Sequence, residues 1–291
     1  MKKLFRTLGI VLASIIGVLV ITVVIIFFLG SKKIAASPAV AHDFTAPAPD
    51  SVMVAKGEQL ASAVSRCTGC HGQGLKGSIV GEESAFGLFV ASNLTSGKGG
   101  VGGSFSDADW EKAIRHGIEG DGRVLIGMPA EFFSQYSKED FSALLSYVKQ
   151  LPPVDNELPK TKPGLIAKIF IGAGLYTPPS LVVDPAMAHA ESAPTDSPIE
   201  FGKYLTNLAA CGECHGAALK GPEYEGPPPG PDLSKTGNLS SWSEADFFRA
   251  LRTGSTPDGR ILDPNMMPWP RFTRMSDAQV SATWAYLGSI N

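Results

Sequence analysis

The stretch Cys67-Thr68-Gly69-Cys70-His71 returns later as Cys211-Gly212-Glu213-Cys214-His215, and the two copies use all four cysteines of the chain. In C-x-x-C-H the thiols stand one helical turn apart, where they can add to the two vinyl groups on one edge of a haem. The adjoining histidine brings an imidazole beneath the iron. Cys67, Cys70, Cys211 and Cys214 are therefore candidate attachment points, with His71 and His215 as candidate proximal ligands. Redox or zinc C-x-x-C motifs, or a disulfide framework, would use the same residue types. A zinc site would have to pool ligands from both copies, because neither has a second C-x-x-C or an H-x3-5-H partner nearby. Two copies in register point to two covalently bound c-type haems.

Outward from the motifs the copies continue to agree. Gly57-Glu58-Gln59-Leu60 leads into Cys67 and Gly202-Lys203-Tyr204-Leu205 into Cys211, each reading as a short helix that ends at the haem. After the histidines run Gly72-Gln73-Gly74-Leu75-Lys76-Gly77 and Gly216-Ala217-Ala218-Leu219-Lys220-Gly221. Further on, Ser106 with Asp109 and Ser243 with Asp246 have N-cap spacing, and Gly117 and Gly254 stand at plausible C-caps. The last helix of each copy starts at Ser137 with Asp140, and at Ser276 with Gln279. Their apolar residues, Phe141, Leu144, Leu145 and Val148, then Val280, Trp284 and Leu287, fall on one helical face. The chain reads as an internal duplication of an all-α domain.

These residues resemble the cytochrome c superfamily, as a two-haem member with one domain per motif, over residues 55–152 and 199–291. The resemblance implies that first and last helices cross in each domain, so Gly57 and Gly202 would let backbone approach Tyr147 and Tyr286; ordinary helix packing is the other reading. Iron with two axial ligands needs a partner opposite the histidine: methionine, histidine or an open position. Both copies run through Asp-Gly-Arg, at Asp121 to Arg123 and Asp258 to Arg260, and reach Met128-Pro129 and Met267-Pro268. A loop thioether followed by proline matches the superfamily's distal segment, so Met128 and Met267 are the expected ligands. Met266 competes, because the interval from Arg to Met-Pro is longer in the second copy. His116 reads as a solvated cation in a last helical turn, and His42 and His189 fall in tether and linker. Met275 reads as a hydrophobic staple before Ser276.

The N-terminus places Lys2, Lys3 and Arg6 before a charge-free apolar run from Leu8 to Leu29, followed by Lys32 and Lys33. At about 1.5 Å per residue the run reaches about 33 Å, enough for a bilayer core. A secretory h-region is shorter, although Ala39-Val40-Ala41 could serve as a processing site. Residues 1–33 are thus expected to be a single-pass anchor in a bacterial cytoplasmic membrane. Haem attachment outside the cytoplasm then puts both motifs in the periplasm. Residues 34–54, with Pro38, Pro47 and Pro49, read as a tether. The proline-rich linker 153–198 includes an apolar stretch from Gly164 to Tyr176, too short to cross a membrane, that packs on a domain or lies on the bilayer surface. Gly97-Lys98-Gly99-Gly100-Val101-Gly102 matches a dinucleotide fingerprint formally, but no βαβ context surrounds it, so it reads as a flexible surface loop.

Net charge is -3, and the chain beyond Lys33 holds 20 basic against 28 acidic residues. This disfavours nucleic acid as a partner and suits a protein with a basic docking face. With both irons closed by histidine and methionine, the chemistry left is outer-sphere electron transfer, so an electron carrier rather than an enzyme is expected. Its partners would be a quinol-oxidising complex, a dehydrogenase or a terminal oxidase. Asp258-Gly259-Arg260-Ile261-Leu262 before Met267-Pro268-Trp269, and Ala85-Phe86-Gly87 before Asn93-Leu94-Thr95, also resemble cytochrome subunits of membrane alcohol or gluconate dehydrogenases. Those subunits generally carry three haems. A two-haem peroxidase or thiosulfate dehydrogenase would need one iron without its methionine.

Overall fold

The computed structural model describes residues 2–36, 38–40, 44–221 and 230–291; Ala41 and His42 lie outside the described residues. The apolar N-terminal run forms one helix, α1 (Lys2–Ile34), with mean hydropathy 3.2 over its most apolar window and side chains such as Leu8, Leu19 and Phe28 exposed.

The first domain opens with α2 (Ser51–Gln59), N-capped by Asp50. It continues through a wider π turn, Leu60–Val64, into α3 (Cys67–His71). Two strands follow, β1 (Ser78–Glu83) and β2 (Gly87–Ala91). Next come α4 (Asp107–His116), closed by a Ser106/Asp109 capping box and a left-handed Gly117, then the short α5 (Ala130–Phe133) and α6 (Lys138–Lys149), capped by Ser137. Strand β3 (Lys162–Pro163) and α7 (Leu165–Ala173) occupy the proline-rich segment. The second domain repeats the plan with α8 (Pro198–Leu208), α9 (Gly212–His215), α10 (Glu244–Thr253) and α11 (Asp277–Ser289). Its capping boxes are Ser243/Asp246 and Ser276/Gln279.

First and last helices cross through glycine in both domains. A Cβ on Gly57 would lie 1.9 Å from the Ala143 carbonyl oxygen and 2.8 Å from Tyr147 Cβ; one on Gly202 would lie 2.0 Å from the Ala282 oxygen and 2.7 Å from Tyr286 Cβ. The crossing helices bury the expected faces, Phe141, Leu144, Leu145 and Val148 on α6, Val280 and Leu287 on α11. A matched arginine ties each α4-type helix to the start of the last one. Arg115 donates to the carbonyls of Tyr136 and Ser137, and Arg252 to those of Phe272 and Met275.

Three features depart from an all-helical duplication. The antiparallel sheet β1-β2-β3 interrupts the first domain. Its short runs, Ile79-Val80 and Leu88-Phe89-Val90, are too brief to show periodicity. The Gly97–Gly102 loop is packed rather than loose, because residues 154–157 of the linker run over it: Gly97 sits 2.2 Å, measured from an ideal Cβ, from the Val154 oxygen, and Asn156 N donates to Lys98 O. The linker chain has buried Asn93 and Thr95 to satisfy, and the Val154 carbonyl accepts from both side chains. His116, finally, is 3% exposed rather than solvated, since α5 and the Pro179–Leu181 turn close over the end of α4.

The two domains meet over a shared apolar cluster. Tyr204 OH donates to Asp140 Oδ2 at 2.7 Å and accepts from Ser137 N. Gln59 donates to the Arg274 carbonyl, and Arg274 pairs with Glu58 at 2.6 Å.

Candidate haem sites

Each C-x-x-C-H segment is a single helical turn, which sets its two thiols on one side and points the histidine along the next stretch of chain. The imidazoles are then fixed by carbonyls. His71 Nδ1 lies 2.7 Å from Ser92 O, and His215 Nδ1 2.8 Å from Pro231 O. Burial pushes both imidazoles below the usual histidine range, so each is neutral, donates through Nδ1 and keeps Nε2 as its lone-pair nitrogen. The orienting carbonyls also correspond between the copies. Leu94 N donates to Leu75 O and Leu233 N to Leu219 O, while Asn93 and Asp232 side chains accept from Thr95 N and Ser234 N.

Ser92 and Pro231 were not foreseen as site residues, because they act through backbone oxygen. The signal was present: each precedes an Asn/Asp-Leu-Thr/Ser tripeptide in the matched segments. A second unforeseen pattern is conformational. Among the described residues, the non-glycine residues at positive φ are Arg66, Leu75, Ala210 and Leu219. Arg66 and Ala210 immediately precede the first cysteine of each motif, and Leu75 and Leu219 follow each histidine by four residues. Such backbone costs about 1–3 kcal/mol per residue and concentrates at ligand clamps. Here it folds the chain sharply on both sides of the motif.

The methionine loops are likewise flanked by matching hydrogen bonds. Leu125 N donates to Gly117 O and Leu262 N to Gly254 O; Ala130 N donates to Met128 O and Trp269 N to Met267 O. Pro129 and Pro268 share φ/ψ of -79/62° and -75/56°. Two residues separate Leu125 from Met128 and four separate Leu262 from Met267. The extra pair is taken up in a turn in which Asp263 O accepts from Met266 N and Met267 N. Met267 is therefore the equivalent of Met128. Both are half-buried against the core cluster, whereas Met266 is 50% exposed.

The surroundings fit a covalently held, anionic macrocycle. Burial pushes the Cys67 thiol up to about 12 and the Cys211 thiol up to about 11, so both sulfurs are neutral thiols. Arg271, held to about 10 by burial, stands within electrostatic reach of Cys211. Its Nη2 donates to Ala209 O, but its buried Nε and Nη1 have no hydrogen-bond partner, a cation suited to a carboxylate of the prosthetic group. Among the described residues, no three Cys, His, Asp or Glu side chains converge. The four cysteines are free of disulfides. The motifs themselves adjoin across the domain interface, where Arg66 Nη1 lies 3.9 Å from Glu213 Oε2.

The chain is 28% identical over 269 residues to the fructose dehydrogenase cytochrome subunit of Gluconobacter japonicus, covering 84% of this chain and 55% of the relative. It is 29% identical over 238 residues to the alcohol dehydrogenase (quinone) cytochrome c subunit of Gluconacetobacter polyoxogenes, covering 72% and 49%. A diheme cytochrome c-type protein of Cereibacter sphaeroides is 28% identical over 225 residues, covering 69% and 71%. The chain thus spans about half the length of the two dehydrogenase subunits. The family model described as cytochrome c matches residues 54–152 and 199–291, and with that match over most of its length the chain belongs to the cytochrome c family, whose domains hold covalently bound c-type haem.

Proposed function

We propose that the chain is a membrane-anchored dihaem cytochrome that relays single electrons between redox proteins on the periplasmic side of a bacterial cytoplasmic membrane. The observation that carries this reading is a twofold repetition: in each domain a carbonyl-oriented imidazole, and a methionine packed against the core ahead of a proline in the same backbone conformation. Cys67 and Cys70 would tether one haem and Cys211 and Cys214 the other. His71 with Met128, and His215 with Met267, would close the irons. Haem supplies one-electron chemistry, and a thioether ligand raises its potential relative to bis-histidine ligation. The chain's own work is to keep each imidazole neutral and aimed, to exclude a substrate from the sixth position, and to bury the macrocycle in apolar walls.

Similarity to the fructose and alcohol dehydrogenase subunits favours a more specific placement, as the electron-accepting cytochrome subunit of a membrane dehydrogenase. The adjoining motifs suit either placement, since an electron delivered to one domain has a neighbour in the other. The test is the optical spectrum of the haem-loaded protein, ferric and ferrous, with and without carbon monoxide, together with a haem count. Two low-spin haems indifferent to carbon monoxide are expected. A haem that binds it promptly would mean an open iron and a catalytic site.

A further inference from the structure

The linker helix α7 lies against the last turns of α1, and glycine on both helices permits the approach. A Cβ on Gly30 would sit 1.8 Å from the Lys168 carbonyl oxygen, and one on Gly172 1.9 Å from that of Ile26. Lys33 Nζ reaches the Ile171 carbonyl at 3.0 Å, and the Lys168 ammonium stands over the Phe27 ring at 5.1 Å. This contact falls where the charge-free run of α1 ends and Lys32 and Lys33 begin. In a spanning helix that is the boundary between hydrocarbon and water. At this height the exposed side chains of α7 are Leu165, Phe170 and Ala173, all apolar, and Leu175 follows at 71% exposure. Lys168 is the helix's single charge. Apolar side chains displayed at that depth, with one long cation able to snorkel, match a helix lying in the interface rather than in water.

The helix is joined firmly to the first haem domain. Phe86, from the turn between β1 and β2, meets Phe170 edge-on at 5.7 Å. Gly164 N donates to Phe86 O and Ile166 N to Ala85 O. Strand β3 enters α7 and pairs with β2, and the residue after β2 is Ser92, whose carbonyl orients His71. We propose that α7, with Phe86, is a lipid-docking surface that seats the first haem domain on the periplasmic leaflet at the headgroup–acyl boundary. The proposal rests on the reading of α1 as a membrane-spanning anchor. It puts the first haem beside the bilayer, at a fixed distance, rather than at the end of a swinging tether. Residues 44–46 agree with this, since Phe44 packs on Phe141 and Ala46 N donates to Asp107, strapping the tether to the domain.

The test uses the haem-loaded full-length chain in nanodiscs of mixed zwitterionic and anionic phospholipid. Single cysteines at Leu165→Cys and Leu175→Cys are spin-labelled, with Leu19→Cys as the lipid reference and Ile261→Cys as the water reference. An unchanged haem spectrum shows that each variant is folded. Labels at 165 and 175 are expected to collide several-fold more often with dissolved oxygen than with a water-soluble nickel chelate, as at 19, with the ratio reversed at 261. If 165 and 175 behave like 261 while 19 remains in lipid, the docking surface is refuted and the anchor stands. If 19 itself is in water, the anchor reading fails and the docking surface with it.

Discussion

At Met266 and Met267 the side chains are alike and only their surroundings differ. Met267 follows the turn closed on Asp263 and leads into the Pro268 conformation shared with Pro129, so its thioether is held against the core. Met267→Ala is expected to open one of the two irons, giving carbon monoxide binding at one haem per chain and loss of one Met-ligated ferric signature. Met266→Ala should leave both spectra unchanged, and the reverse result would exchange the two roles. Arg271 yields a second residue-scale expectation. A buried cation near Cys211 disfavours the extra positive charge of ferric iron, so it raises that haem's potential. Arg271→Gln should lower one midpoint in a redox titration by tens of millivolts, the size of about 1 kcal/mol at an effective dielectric of about 20. Of the residues proposed to build these sites, cysteine, histidine and methionine stand out in the sequence because their side chains would carry the chemistry. Ser92, Pro231 and the left-handed Arg66 and Leu75 were not, because their contribution is a carbonyl or a backbone angle that any side chain can accompany.

Among the elements, the helices were readable wherever local chemistry marks them. Ser106, Ser243 and Ser276 announced their capping boxes, and the period of Phe141, Leu144, Leu145 and Val148 announced a buried face. The crossing at Gly57 and Gly202 was implied by the family resemblance rather than by local pattern, and it is steric in origin. Gly57→Ala or Gly202→Ala should cost about 1–3 kcal/mol or more through overpacking, seen as a lower denaturation midpoint of the holoprotein. Gly288→Ala, on the same α11 but with open space around it, should be neutral or mildly stabilising. Where elements are assembled by distant parts of the chain, the sequence was silent. The sheet needs β3 from the linker, and the docked segment near His189 needs α6, whose Lys138 N and Glu139 N donate to Ala190 O and Glu191 O. Burial, with Arg115, His116 and Lys138 nearby, depresses His189 to about 4. Between that value and the ordinary 6.5 the unfolded chain binds the extra proton, so stability is full above about 6.5 and falls as pH drops toward 4. His189→Gln should flatten that decline when denaturation midpoints are compared between pH 7 and about 5.

On the scale of the whole molecule, the relation between the domains decides whether two haems make one relay. Tandem copies on a proline-rich linker would be compatible with independent motion, yet here the linker packs along the first domain and the motifs adjoin. Arg66, immediately before Cys67, faces Glu213, which lies between Cys211 and Cys214. The cysteines that would hold the two haems thus belong to motifs that meet at a common interface, held by Tyr204–Asp140 and by the shared apolar cluster. Electron exchange should then be intramolecular. The Met267→Ala variant makes this measurable, since carbon monoxide on the opened ferrous haem holds its electron until a light pulse removes the ligand. In half-reduced protein, photolysis is expected to send that electron to the other haem with a first-order rate independent of protein concentration. A rate that scales with concentration would mean that electrons pass only between molecules, and that the two domains act as separate carriers on one chain.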